Sequence, residues 1–438
     1  MHPLAGGSTT RDVGELTMRS NCILFLEPRN YDFVLIASAK QRGMATVVLT
    51  FDKAEVAKIN PKYAEHASSV DRIYEIGNWR DHASVAEAVA SVVKEHEVVG
   101  VYTNFELCLE AAAELRTAFG LPTPSPATFK VILDKYQLRG RLRDVGLSSL
   151  RSHDASVDLD AIDFSQPYMF KPRRGLDSVC VRKCRNKSDV EDAISEWENY
   201  CSSEHSDKIN ELYIQKSNSY FLEQYCPGEL LSYEAVISRG DITTIGVTGR
   251  NLYSGNPNLE LGFKFPYFPP RYQEIIDKCQ TALRAIDYLH GSVHIEMLVP
   301  DEGEIEIVDF NARFAGSYVR DAINRAYDCK IDESILALAC GEQLPIIDLS
   351  KPRRFCNARS YFIPRDVETF ESIEFPAGID YVHTTCRYSP GDKPRSGRSG
   401  EDISGNFMVH GLDYDEAVRR SNYVRDHAVI NGRHPLEC

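Results

Sequence analysis

The chain has 438 residues, 43% of them hydrophobic and 26% charged, with 50 Lys and Arg against 64 Asp and Glu and hence a net charge of −14. A chain of this length buries a large core and exceeds one ordinary domain, so we expect about two to four structural units. The acidic balance disfavours nucleic acid or an anionic membrane as the main partner.

The cysteine pattern and the first residues bear on the compartment. Twelve cysteines are present without a Cys-x-x-Cys pair or framework spacing, and Met1 to Ser20 do not resemble a secretory leader. We therefore expect reduced thiols and a cytoplasmic protein. The apolar run Cys22 to Leu26 is far shorter than the roughly 20 residues of a membrane-spanning helix, so no membrane anchor is expected. Residues 1–20 are predicted to be a flexible arm.

Residues 21–125 alternate β-rich and helical segments, which predicts a parallel α/β domain. Helices are predicted near 31–42 and 82–96, and the strands at CILFLEP, ATVVLTFD, RIYEIG and VVGVYTN. No Gly-x-Gly-x-x-Gly turn follows the first strand, so no dinucleotide is assigned. Glu106 follows the fourth strand, at the edge where parallel sheets place ligand groups. A glutamate that starts a helix is otherwise a cap that complements the helix dipole.

Residues 126–222 are predicted to contain a linker helix, with Asp134-Lys135 in its middle, and a small α+β domain that we call the lid (151–220). In the lid, residues 168–171 (YMFK) and 179–181 (VCV) are predicted strands. A buried, unpaired lysine charge costs several kcal/mol, so Lys171 needs an anionic partner. Arg173 and Arg174, in the loop between these strands, either contact a bound anion or are solvated.

Residues 223–438 are predicted to form a larger α+β domain. The strand FLEQY leads through a Cys-Pro-Gly turn into the strand LLSYEAVIS. Residues 249–270 are too rich in Gly, Pro and aromatic residues to predict regular structure, and long irregular loops in compact domains are usually functional. Helices are predicted from about Tyr318 to Cys340 and from Asp413 to Asp426.

Ser292 to Ser317 carries the most distinctive pattern. Its apolar residues alternate on both sides of a Pro-Asp-Glu-Gly turn, which predicts a β-hairpin. With the turn centred near residues 301 and 302, Ile307 is expected opposite Glu296, and Asp309 opposite His294.

This register puts Glu296, Asp309 and Asn311 on one face, where diagonal neighbours lie roughly 7–8 Å apart. Oxygen ligands of this kind suit Mg²⁺ rather than zinc. Arg313 would complement an anion held by that metal. The alternative is a solvated acidic hairpin.

The run His294-Ile295-Glu296, followed by Asp309-x-Asn311-x-Arg313 and Phe314-Ala315-Gly316, resembles the metal-binding core of the ATP-grasp superfamily. Within it, the similarity is to the carboxylate-amine ligases that include the dipeptide-forming L-amino acid ligases. The resemblance covers roughly residues 95–430. It implies an α/β ATP-grasp fold that binds ATP and two Mg²⁺ or Mn²⁺ ions on Glu296, Asp309 and Asn311. The family usually has Glu where this chain has Asp309.

The resemblance also implies roles for other residues. Two lysines would hold the phosphates, hinge backbone groups would bind adenine, and an acid would bind the ribose; the residues assigned to ATP are Lys135, Lys171, Ser178, Glu223, Gln224, Tyr225 and Glu229. Arg313 and the backbone near Gly316 would stabilise an oxyanion. Glu260-Leu261-Gly262-Phe263 resembles a Glu-x-Gly-His element at the substrate pocket, and the substrate residues implied are Glu260, Gly262, Phe263, Arg250 and His294.

The activity implied by the resemblance is ATP-dependent ligation of an amino acid or small carboxylic acid to an amine, through an acyl phosphate, with release of ADP and phosphate. The expected partners are therefore a small acid and an amine, without nucleic acid or membrane, and a homodimer is the commonest state of a soluble enzyme. Two alternatives stay open. They are a bicarbonate-activating carboxylase or carbamoyl-type reaction, and a nucleotide-binding regulator without catalysis.

Overall fold

The computed structural model describes residues 19–57, 61–175, 179–202, 219–253, 256–316, 318–397, 400–434 and 436–438. The strands are β1 (Ser20–Leu26), β2 (Ala45–Thr50), β3 (Arg72–Glu75), β4 (His96–Tyr102), β5 (Ser152–Asp154), β6 (Tyr168–Pro172), β7 (Arg182–Cys184), β8 (Tyr220–Gln224), β9 (Glu229–Ser238), β10 (Asp241–Tyr253), β11 (Asn256–Phe265), β12 (Gly291–Val299), β13 (Glu306–Asn311), β14 (Phe355–Tyr361), β15 (Ile373–Glu374), β16 (Tyr381–Cys386), β17 (Gly405–Gly411) and β18 (Val429–Ile430). The α-helices are α1 (Asp32–Gln41), α2 (Lys53–Ala57), α3 (His82–Glu95), α4 (Leu109–Ala118), α5 (Pro126–Ile132), α6 (Lys135–Asp144), α7 (Lys187–Cys201), α8 (Tyr272–Ala285), α9 (Val319–Tyr327), α10 (Ile331–Cys340) and α11 (Tyr414–His427).

The N-terminal domain is the predicted parallel α/β unit. Its four strands are all parallel, in the order β3-β2-β1-β4. Residues Cys22 to Leu26 of β1 are all 0% exposed, as expected for a parallel strand covered on both faces. The chain order reverses between β1 and β4, so the carboxyl ends of these two strands border a crevice.

The largest sheet is antiparallel and has eight strands in the order β13-β12-β9-β10-β11-β14-β17-β16. On β9, Tyr233 and Ala235 pack into a core that includes α8. Because side chains alternate along a strand, Ser232 and Glu234 lie on the opposite face. That face is directed toward the N-terminal domain and toward α9 and α10. Val236, on the same face of β9, packs in a core formed with residues of that domain and of these two helices.

The lid is a four-stranded sheet in the order β5-β8-β6-β7 with α7 packed on it. Asn186 caps α7 by accepting a hydrogen bond from the Asp189 N–H, and Trp197 of the helix is buried against the sheet. The strand predicted at residues 179–181 is found slightly later, as β7. Ser178 lies outside the described residues.

Two predicted helices are each broken into two. Asp134 is the N-cap of α6 rather than a residue inside a helix, because its carboxylate accepts the N–H groups of Tyr136 and Gln137. The helix predicted from Tyr318 to Cys340 is interrupted at Asp328, whose φ of 52° is left-handed and ends α9. The helix predicted from Asp413 is confirmed as α11, with Asp413 as its cap.

The expectation of an irregular loop over residues 249–270 is wrong. Most of this segment forms β10 and β11, which pair with each other, and β11 also pairs with β14. Gly262 has a φ of +141°, and a Cβ atom there would lie 2.0 Å from the carbonyl oxygen of Ala358. Its glycine therefore marks a close approach of two strands. Within the described ranges, no helix is long and apolar enough to cross a membrane.

Candidate active site

The hairpin formed by β12 and β13 brings the predicted metal ligands together. Glu296 lies opposite Asp309, and His294 lies opposite Asn311. The shared face is confirmed, but the predicted register is wrong, because an irregularity after Glu296 leaves Val308 without a partner of its own. Residues directly opposite have Cβ atoms about 4.5–5.5 Å apart, so the two acids are closer than the diagonal placement predicted.

A basic side chain holds each of the three prospective metal ligands. Lys135 Nζ lies 2.6 Å from both carboxylate oxygens of Asp309. Arg313 Nη2 donates to Asn311 Oδ1 at 3.1 Å, and Arg250 Nη2 lies 3.5 Å from Glu296 Oε1. In the absence of a ligand, positive side chains therefore neutralise the charges of Glu296 and Asp309.

His294 is a buried member of the same cluster. Its Nδ1 lies 2.8 Å from Glu234 Oε1, and its Nε2 lies 3.3 Å from Glu296 Oε1. Burial lowers the pKa of His294, but the two carboxylates outweigh burial and raise that pKa to about 9. Burial raises the pKa of Glu296, but the His294 hydrogen bond and the Arg250 charge lower it further, to well below its usual range. Glu296 is therefore ionised at neutral pH.

The donor set of the hairpin fits magnesium. Glu296, Asp309 and Asn311 offer two carboxylates and one amide oxygen, which are the hard oxygen donors that Mg²⁺ prefers. In the part of the chain that the structure describes, no three His, Cys, Asp or Glu side chains form a metal cluster. The amide oxygen of Asn311 is thus needed to complete the set, and a metal would replace Lys135 and Arg313 on these oxygens.

Lys171 has the anionic partner that its burial requires, and the partner is Glu223. Lys171 Nζ lies 2.5 Å from Glu223 Oε2, and Arg139 Nε donates to Glu223 Oε1 at 2.6 Å. Arg139 also contacts Glu306 at 3.1 Å and donates to the carbonyl of Ile307 at 2.5 Å. A buried chain of charges therefore joins lid strands β6 and β8 to the hairpin. The Glu223 side chain serves this chain of charges, although its assignment to ATP stays a prediction.

The two lid arginines are paired with carboxylates from neighbouring helical segments. Arg173 Nη2 lies 2.6 Å from Asp134 Oδ2, and Arg174 Nη1 lies 3.2 Å from Glu110 Oε2. Lys135 N–H donates to the carbonyl of Arg173. Neither arginine is merely solvated, and the lid loop is attached to the start of α6.

The hinge residues are only partly available to a nucleotide. The Gln224 N–H donates to the carbonyl of Arg151 at 2.8 Å, and the Tyr225 N–H donates to the carbonyl of Pro167 at 2.9 Å. These two amides are therefore already engaged. An adenine contact would need the carbonyls of this segment or its other backbone groups.

Glu229 lies away from the hairpin cluster. Its carboxylate is 3.3 Å from Lys264 Nζ and 3.3 Å from Tyr267 Oη. Alternation along β9 places it on the α8 side, opposite to Ser232, whereas Leu230 shares the side of Ser232. This geometry does not favour the ribose contact predicted for Glu229.

Of the predicted substrate residues, Arg250 and Glu260 lie beside the hairpin, whereas the Phe263 side chain lies in the core. Arg250 donates to Ser232 Oγ at 2.5 Å and lies 3.3 Å from Glu260 Oε2, and its own Nε is buried without a partner among the described residues. Burial and the nearby Glu296 raise the pKa of Glu260, and the Arg250 charge only partly offsets them. Phe263 is 3% exposed and packs in the core, so its side chain is not placed to line a pocket.

Two further carboxylates complete the cluster, and only the first of them was not assigned from the sequence. Glu234 is 0% exposed and accepts from His294 and from Thr248 Oγ1 at 2.9 Å. Its signal in the sequence was an acid within the apolar strand LLSYEAVIS. Glu106, for which the sequence left open a ligand role or a helix cap, is 8% exposed and lies 3.7 Å from Arg313 Nη2. The carboxyl end of β4 therefore borders the same site. A Cβ built on Gly316 would meet no atom of the described residues within 4 Å.

Comparison with known families identifies the domain that contains this hairpin. Residues 164–321 match the model of the ATP-grasp domain. The chain therefore contains an ATP-grasp domain and has the ATP-grasp fold. Comparison with curated protein sequences gives no match.

Solved structures with a similar fold span almost the whole chain. An L-amino acid ligase from Bacillus licheniformis has a TM-score of 0.75 at 18% identity, covering 95% of this chain and 99% of that one. A phosphoribosylglycinamide synthetase from Anaerococcus prevotii has a TM-score of 0.69 at 15% identity, covering 94% and 99%. The biotin carboxylase domain of Hydrogenobacter thermophilus 2-oxoglutarate carboxylase, in complex with MgADP, ADP and bicarbonate, has a TM-score of 0.67 at 15% identity, covering 95% and 91%.

Proposed function

We propose that the protein is an ATP- and Mg²⁺-dependent carboxylate-amine ligase that joins an amino acid or small carboxylic acid to an amine. The observation that carries the proposal is the position of Arg313, which contacts Asn311 on the face shared by Glu296 and Asp309. The full-length similarity of fold to an L-amino acid ligase supports the same reaction class.

The proposed reaction has two steps. A carboxylate oxygen of the acid attacks the γ-phosphorus of ATP, and ADP leaves with the electrons of the broken bond. The amine nitrogen then attacks the acyl carbon, phosphate leaves with the electrons of the C–O bond, and the amine loses a proton. Mg²⁺ on Glu296, Asp309 and Asn311 would neutralise negative charge on the phosphoryl oxygens.

Lys135 and Lys171 are the proposed phosphate ligands. Each is held by a carboxylate in this structure, Lys135 by Asp309 and Lys171 by Glu223. A phosphate brings more negative charge than either carboxylate and presents several oxygens, so it competes for the same ammonium groups. Binding of the nucleotide would thus free Asp309 for the metal.

Arg313 is the proposed stabiliser of the tetrahedral oxyanion. Its guanidinium is held between Asn311, the carbonyl of Phe314 and Glu106. A single preorganised donor in this role is worth roughly 3 kcal/mol of transition-state stabilisation. The backbone N–H near Gly316 is proposed as a second donor to the same oxyanion.

Arg250 and Glu260 are the proposed substrate contacts. Their 3.3 Å pair places a guanidinium beside a carboxylate next to the hairpin. Opposite charges arranged in this way complement the carboxylate and ammonium groups of an amino acid. Among the described residues, the Arg250 Nε has no hydrogen-bond partner, which leaves one donor for that carboxylate.

A bicarbonate-dependent reaction is the second candidate. The Hydrogenobacter thermophilus domain of similar fold was solved with bicarbonate. Residues 249–253 and 256–265 lie in the paired strands β10 and β11 rather than in a roomy loop, so they give no argument for a larger substrate. The choice depends on turnover with defined substrates.

The test is to incubate the protein with ATP, Mg²⁺ and pairs drawn from the twenty L-amino acids and small carboxylic acids. ADP and phosphate should form together, and only when an acid and an amine are both present. Turnover with bicarbonate alone would favour the second candidate, and AMP with pyrophosphate would contradict an acyl phosphate. Nucleotide binding without turnover under all these conditions would favour a non-catalytic regulator.

A further inference from the structure

The crevice at the carboxyl ends of β1 and β4 is occupied by the protein's own chain. In open parallel sheets, this position, where the strand order reverses, is the usual place for a ligand. Here the residue after Arg313 enters it. The Phe314 N–H donates to Asn104 Oδ1 at 3.0 Å, and Asn104 Nδ2 donates to the carbonyl of Phe314 at 3.4 Å.

The carboxamide of Asn104 is fixed in this orientation. Asn104 is 7% exposed, and its Nδ2 also donates to Tyr31 Oη at 2.9 Å. The Tyr31 ring in turn lies 4.1 Å from the Arg320 guanidinium. A carboxamide accepts through its oxygen and donates through its nitrogen, so the Asn104 side chain serves both the N–H and the carbonyl of Phe314.

The same carbonyl also determines where Arg313 lies. Arg313 Nη1 donates to the carbonyl of Phe314 at 3.0 Å, so this oxygen accepts from both Arg313 and Asn104. Glu106, two residues after Asn104, lies 3.7 Å from Arg313 Nη2. The end of β4 therefore contacts both the backbone and the guanidinium of the Arg313 segment.

We propose that Asn104 is a positioning residue for the ligase reaction. It fixes the Phe314 peptide and, through it, the direction of the Arg313 guanidinium. This inference rests on the role proposed above for Arg313. We call the two hydrogen bonds between Asn104 and the Phe314 backbone the clamp. A displacement of about 1 Å in a catalytic group can cost about 10²-fold in rate, so loss of the clamp should act through the position of Arg313 rather than through substrate binding.

A double-mutant cycle tests the proposal with Mg-ATP and a mixture of the twenty L-amino acids, by following ADP. Asn104→Ala should lower kcat by about 10-fold or more, while KM for ATP stays within about twofold. In the Arg313→Ala background, the same change should cost less than about threefold, because the group it positions is absent. An equal loss in both backgrounds would show a general structural effect and overturn the proposal.

Two further variants keep the result interpretable. Thr103→Val removes the hydrogen bonds of the Thr103 hydroxyl with Leu26 and Phe105 in the same loop, none of which involves Arg313 or Phe314, so kcat should stay near that of the wild type. Asn104→Asp keeps the acceptor for the Phe314 N–H and should retain more activity than Asn104→Ala. A Thr103→Val protein as impaired as Asn104→Ala would also overturn the proposal.

Amide hydrogen exchange tests the hydrogen bond between the Phe314 N–H and Asn104 independently of turnover. In the free protein, the Phe314 amide should exchange faster in Asn104→Ala than in the wild type or Thr103→Val, measured on a peptide spanning residues 313–316. Unchanged exchange would contradict the clamp itself. Equal turnover by the wild type and Arg313→Ala would instead refute the proposed role of Arg313, so the two failures are distinguishable.

Discussion

Replacing Glu223 with Gln should destabilise the lid strongly. The Glu223 side chain is 3% exposed and lies 2.6 Å from Arg139 Nε and 2.5 Å from Lys171 Nζ. Gln keeps the shape but offers one acceptor in place of two, and its NH₂ group would face a cation. Removing one partner of a buried ion pair costs about 3–5 kcal/mol. We expect a value near the lower end, because Arg139 keeps its contact with Glu306.

The pH dependence of this effect follows from the same contacts. Burial raises the pKa of Glu223, but Lys171 and Arg139 outweigh burial and lower it below its usual value. The stabilisation is therefore complete above the unfolded-state pKa of about 4.3, and it is lost only as the pH falls through the lower folded-state pKa. The difference between wild type and Glu223→Gln should be the same at about pH 6 and about pH 8.

Trp197 allows the unfolding of the lid to be followed directly. The chain has two tryptophans, and Trp79→Phe leaves the buried Trp197 of α7 as the reporter. Urea unfolding followed by its fluorescence gives the midpoint and slope for this unit. Asp328→Asn is the control, because it removes the partner of Arg353 from a pair that is 65% and 72% exposed, and it should cost less than about 1 kcal/mol. Equal midpoints for Glu223→Gln and the control would refute the reasoning.

Three further predictions concern the hairpin and the main sheet. Glu296→Ala should lower ADP release by on the order of 10²-fold, about 2.7 kcal/mol, whereas Asp309→Glu, which keeps the carboxylate, should be the mildest change at the site; normal rates with Glu296→Ala would contradict the metal site. Arg313→Ala should reduce kcat while nucleotide affinity, measured by calorimetry, stays nearly unchanged. Gly262→Ala should lower the urea midpoint by the equivalent of more than about 1 kcal/mol, whereas Gly140→Ala in α6, where a Cβ meets nothing within 4 Å, should raise it by up to about 1 kcal/mol.

The parts of the fold that follow from local periodicity were predictable. Alternation placed Glu296, Asp309 and Asn311 on one face, and that face is observed. The predicted pairing of β12 with β13 was wrong because Val308 is an extra residue without a partner of its own on β12. Such an irregularity cannot be recognised from the alternation of apolar residues. In residues 249–270, glycine was interpreted as a loop signal, although Gly262 serves a close strand approach.

The partners of the charged residues could not be predicted from the sequence. The carboxylates that hold Lys135 and Lys171 lie 174 and 52 residues away along the chain. Local patterns do not encode such distant pairs. The helix break at Asp134 was different, because an aspartate that caps the following turn is a local signal.

The segment at Phe314 occupies the crevice of the N-terminal domain as a bound ligand would, but it is part of the same chain. Besides Asn104, the domain contributes Asp32, which is 0% exposed and lies 3.0 Å from Arg320, 288 residues later in the chain. A covalent connection gives such a ligand a high effective concentration, and its binding stabilises the domain that receives it. Cutting the chain after Gly120 would turn this contact into a bimolecular one. The stability of the isolated N-terminal fragment, with Asp32 deprived of its cation, would then depend on the concentration of the remainder.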